Sequence, residues 1–121
     1  MSLTKDQAAI VAAFKPLVGG LLKEMLKPSN GSRSLSAEKT FIRGHKCKAV
    51  TTIKDGGGDD RYRLFVELSD LSKGNPVTFD RADEAVLVAE LKKAAEAVGW
   101  LWVMGANLTP GTFGILVTPR A

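Results

Sequence analysis

Lys46-Cys47-Lys48-Ala49-Val50-Thr51-Thr52-Ile53-Lys54 and, across Asp55-Gly56-Gly57-Gly58-Asp59-Asp60, Arg61-Tyr62-Arg63-Leu64-Phe65-Val66-Glu67-Leu68 decide how this chain folds. Successive side chains of a strand point to opposite faces. In the first segment Lys46, Lys48, Val50, Thr52 and Lys54 therefore share one face, and Cys47, Ala49, Thr51 and Ile53 the other. In the second, Arg61, Arg63, Phe65 and Glu67 alternate with Tyr62, Leu64, Val66 and Leu68. The glycines between them tolerate the positive backbone angles of a tight reversal, which makes the pair a hairpin with one basic and one apolar face. A phosphate-cradling loop would need a helix directly after its glycines, whereas Arg61 to Leu68 alternates as a strand.

Working outward, the chain before the ribbon predicts a helix. Thr4 and Gln7 stand at capping-box spacing. Ile10, Phe14, Leu17, Leu21 and Met25, flanked by Val11, Val18 and Leu22, form a wide apolar stripe. Pro16 predicts a kink or break near Phe14 to Lys15, and Gly19-Gly20 weakens the helix further, so two short helices are an alternative. Residues 28–37, rich in serine and other turn formers and poor in apolar residues, read as a flexible connector. After the ribbon, a loop through Asp70 and Asn75 leads to a short candidate strand, Val77-Thr78-Phe79. Asp80 caps a second helix with Ala85, Val88, Leu91 and Ala95 among its apolar positions, Asp83 and Glu84 in its first turn and Gly99 at its end. Trp100 to Met104 and Thr112 to Thr118 read as two strands joined by a turn. The order is α-β-β-(β)-α-β-β. It describes an α+β fold: a mainly antiparallel sheet of four to five strands, two helices covering one face, in a single domain spanning residues 1–121.

Charge is distributed unevenly over this fold. The net charge of the 121 residues is +4, yet residues 1–63 hold twelve Lys or Arg against six Asp or Glu, and the remainder five against seven. Such a field attracts nucleic acid, an anionic membrane or an acidic protein surface, and charge alone does not choose among them. No apolar run approaches the roughly 20 residues of a membrane helix, no secretory signal is evident at Met1 to Asp6, and the lone Cys47 supports no internal disulfide. The expectation is a cytoplasmic protein with no membrane association.

Chemistry-bearing residues are few. His45 and Cys47 would share a strand face, where they could hold a metal or act as base and nucleophile, but a structural zinc site needs four ligands and the chain has one His and one Cys. Cys47 is read as a core residue. Asp55, Asp59 and Asp60 do not match a calcium loop. No catalytic site, metal or cofactor is expected, and the protein is read as a non-enzymatic binder. For nucleic acid, Lys46, Lys48, Lys54, Arg61 and Arg63 would take phosphates. Phe65, Trp100 and Trp102 would stack bases if Leu101 and Val103 face the helices; in the opposite register the tryptophans are core, the more usual place for at least one of them.

The competing class is protein interaction: an inhibitor or chaperone-like module, possibly a homodimer, binding an acidic partner. Small α+β domains of this element order resemble bacterial secretion chaperones in topology, which implies dimers that hold a partner's extended segment. No motif accompanies that likeness, and such chaperones are commonly acidic where this chain is basic.

Overall fold

The computed structural model describes residues 3–27, 33–58, 61–105 and 111–119. In chain order the elements are α1 (Lys5–Met25), β1 (Ser34–Ile42), β2 (Lys46–Gly58), β3 (Arg61–Asp70), α2 (Arg81–Glu96), β4 (Trp100–Gly105) and β5 (Thr112–Pro119). The five strands form one antiparallel sheet in the order β1-β2-β3-β5-β4. This is the α+β architecture expected, with both helices on one face: α1 packs over β1 and β2, α2 over β5 and β4, and the two helices touch each other.

The capping box forms as read. The Gln7 amide donates to Thr4 Oγ1 (3.1 Å), and the Thr4 amide donates to Gln7 Oε1 (3.0 Å). The break expected at Pro16 is absent, and α1 runs through it as one helix. Proline deprives the Ala12 carbonyl of its helical partner. Ala12 and Pro16 both face solvent, where water can supply the missing hydrogen bond, while Phe14 and Val18 on the other side are fully buried and hold the helix to the sheet.

Two further expectations are corrected. Ser34 to Ala37, assigned to the connector, belong to β1, whose partners run from Ser34↔Lys54 to Ile42↔Lys46. Residues 28–32 of that connector lie outside the described residues. Val77-Thr78-Phe79 is not a strand: a single bridge, Ser69↔Pro76, touches the sheet there. Val77 is buried, and Phe79 packs edge-on to Phe113 (5.9 Å between centroids), which is the reason this segment is apolar.

The helix-facing side of the sheet carries the core: Cys47, Ala49 and Ile53 of β2, Leu64, Val66 and Leu68 of β3, Phe113, Ile115 and Val117 of β5, and Trp100 of β4, all at most 2 % exposed. Phe14 meets Phe113 edge-on at 5.4 Å and ties α1 to the middle of the sheet. β1 is an edge strand, and Lys39, at a helix-facing position, is exposed. An inward-pointing charge of this kind discourages another strand from adding there.

Candidate anion-binding face

Among the described residues no helix lies over the opposite side of the sheet, and the register lays its side chains out in rows. Lys54 lies between Ser34 on β1 and Arg63 on β3, and Arg63 is opposite Leu116 on β5. The next row holds Ser36, Thr52, Phe65 and Gly114; the one after it, Glu38, Val50, Glu67 and Thr112. Thr40, Lys48 and Ser69 follow, then Ile42 and Lys46. Arg61 continues the parity of Arg63 one row beyond Lys54. All five basic positions read from the ribbon therefore share one face, together with Phe65.

They do not form one patch. Lys48 is six residues from Lys54, about 20 Å along an extended strand, and one of the two rows between them carries Glu38 and Glu67, both exposed. Lys48 is ion-paired with Glu38 (3.4 Å). Lys46 stands farther off still. Among the described residues no carboxylate lies within ion-pair distance of Lys54, Arg61 or Arg63. These three make the compact cationic end of the face, and their one aromatic neighbour is Phe65, whose ring centroid is 5.5 Å from Lys54 Nζ. Glu38 reaches this face only through β1, which has no continuous apolar side to mark it as a strand in the sequence. Gly114 and Leu116 could have been found from the parity of Phe113, Ile115 and Val117.

The tryptophans take the register that removes them from this surface. Trp100 is 1 % exposed on the helix side and packs edge-on to Tyr62 at 5.3 Å. Trp102 is opposite the buried Val117, and its ring lies under Lys92 of α2 (4.7 Å), so it too belongs to the helix side, although it is 44 % exposed at the sheet edge. Neither stands beside Phe65. Leu101, opposite Thr118, takes the open side instead, 47 % exposed.

His45 and Cys47 are not a base and its nucleophile. The Cys47 thiol is fully buried and directed at the His45 main-chain carbonyl (3.7 Å). Burial, reinforced by the nearby Asp70 carboxylate, pushes its pKa up, the reverse of an activated thiol. His45 Nε2 instead pairs with Asp70 Oδ2. Asp70 Oδ1 accepts from the Ser72 hydroxyl (2.7 Å), the Ser72 amide (2.9 Å) and the Lys73 amide (3.2 Å). The Ser72 hydroxyl bond is the largest influence holding the Asp70 carboxyl below its ordinary pKa; desolvation opposes it, and the two amides and His45 assist. This cluster organises the loop after β3. Among the described residues there is no group of three or more His, Cys, Asp or Glu placed to hold a metal ion. Among the described residues no helix is long and apolar enough to cross a membrane.

Compared with protein-family models, with curated proteins and with solved structures, the chain matches none.

Proposed function

We propose that this protein is a small non-enzymatic binding module of the cytoplasm that holds a nucleic acid against the open face of its sheet. The observation that carries the reading is the cluster of Lys54, Arg61 and Arg63, without carboxylate partners among the described residues, on a face no helix covers. Three cations that exchange water and chloride for phosphate oxygens release the counterions condensed on the polymer, which drives association. Lys48 has Glu38 as its partner and Lys46 is remote, so both contribute less than the ribbon pattern alone suggests.

The test is fluorescence anisotropy with labelled oligonucleotides across a salt series. Three phosphate contacts predict a loss of roughly twentyfold in affinity between about 50 and 200 mM salt for a single strand. The double substitution Lys54→Glu, Arg63→Glu should abolish binding and leave the circular dichroism spectrum unchanged. Salt-independent binding, or wild-type binding by the charge-reversed protein, would show that the cationic end is not the site.

An acidic protein segment is the second reading. It is favoured by Leu116, opposite Arg63, and by exposed Leu101, which place apolar surface beside the cations. No affinity for any oligonucleotide, together with a complex with an acidic peptide that the same double substitution removes, would select it.

A further inference from the structure

Resting on the nucleic-acid reading, we infer that the ligand is single-stranded, that one of its bases stacks on Phe65, and that Lys54 leaves the ring to take the adjoining phosphate. The argument against a duplex is geometric. A major groove about 12 Å wide admits a helix or a two-stranded ribbon. β2 and β3 are not a free ribbon, since β1 flanks one and β5 the other, and five strands span about 19 Å. Even beyond Ser34, the first residue of β1, the hairpin is not free, since β5 still flanks β3 through Tyr62↔Val117 and itself runs on to Pro119.

A single strand meets none of these obstacles, because its bases are free to turn toward the sheet. Phe65 lies in the middle strand, partly exposed, between Thr52 and Gly114. Gly114 has no side chain, so the ring is open on that flank; on the other, Thr52 is covered by its neighbours at 9 % exposure. A planar base can lie there with its backbone directed toward Lys54, Arg63 and Arg61. In the other direction Glu67 closes the track by repelling the next phosphate. The Lys54 ammonium, now over the ring, is on a flexible stem, and its contact with Phe65 is replaced by the base. One side chain thus covers the aromatic surface in the free protein and neutralises the ligand in the complex.

The experiment compares an unstructured single strand of about ten nucleotides with its duplex and with a strand of the same length whose sugars lack bases, all by anisotropy at low salt. Expected are single-strand binding about tenfold tighter than duplex or abasic binding, and a loss of about tenfold on the single strand alone for Phe65→Ala, with its salt dependence intact. Phe65→Trp should restore the affinity and guards against a folding defect. Equal affinity for single strand and duplex, or an unaffected Phe65→Ala protein that keeps its salt dependence, would overturn the stacking inference and leave the cationic site standing. Absence of binding to all three probes would overturn both.

Discussion

Replacing Gly111 by alanine should test the frame on which the open face depends. Gly111 precedes β5 with φ +80°, a left-handed conformation, and a Cβ built there would lie 2.6 Å from Pro76 Cβ and 3.2 Å from the Leu68 carbonyl oxygen. Neither obstacle is a flexible side-chain end. The Leu68 amide donates to the Gly111 carbonyl (2.8 Å), and the Val77 amide donates to the Leu68 carbonyl (2.9 Å), so β3, the 70–77 loop and the entry to β5 cross at this point. Gly74 is the control, for it has φ +71° but nothing within 4 Å of the added atom. Gly74→Ala should cost about 1–2 kcal/mol, the price of a left-handed residue with a side chain. Gly111→Ala adds an overpacking term of about 1–3 kcal/mol, for a total of roughly 2–5 kcal/mol against a domain stability of about 5–15 kcal/mol. Urea denaturation followed by circular dichroism measures both, with the slope against urea expected to stay constant. Equal losses for the two variants would mean that the loop does not approach β5 as closely as described.

Three further outcomes follow from the packing. Because the Asp70 carboxyl is held below its ordinary pKa, its contribution to stability is complete above the unfolded carboxylate range and is lost as pH falls through the folded value; Asp70→Asn should lower stability at neutral pH and flatten the acid side of a stability-against-pH profile, and an unchanged profile would refute this. Cys47, fully buried with a raised pKa, should react with a thiol reagent only on the timescale of unfolding, whereas the rate of a free cysteine in the native protein would contradict its placement. Iodide should quench Trp102, which is exposed beside Lys92, and spare Trp100, so Trp102→Phe should leave emission that iodide hardly reaches.

The parts of the fold legible in the sequence are those where burial is one-sided. β2 and β3 alternate over most of their length because one face meets the helices and the other is uncovered, and α2 announces itself through Asp80, whose side chain accepts from the Asp83 amide at 2.8 Å. β1 was only half legible for the complementary reason. As an edge strand it buries Phe41 but leaves Lys39 exposed on the same side, so Ser34 to Ile42 lacks a continuous apolar face. Val77 and Phe79 misled in the other direction, since apolar residues that plug a core from a loop have the composition of a strand without its hydrogen bonds. At Pro16 the local rule was outweighed by the burial of Phe14 and Val18 on the far side of the helix.

For the site, parity was legible and pairing was not. That Lys46, Lys48, Lys54, Arg61 and Arg63 share a face follows from counting residues by twos, and it requires no knowledge of neighbours. Which of them remain uncompensated depends on what lies across the strand boundary, and Glu38 reaches Lys48 only because β1 pairs in the register Glu38↔Val50 and Thr40↔Lys48. The tryptophans make the same point. Trp100-Leu101-Trp102 alternates equally well in either orientation, and only the pairing of Trp102 with Val117, itself buried beneath α2, assigns the indoles to the helix side. A face defined by sequence periodicity is therefore a set of candidates, and cross-strand partners make that set smaller. Here five cations and three aromatic residues contract to Lys54, Arg61, Arg63 and Phe65, a surface small enough that reversing two charges and removing one ring tests it completely.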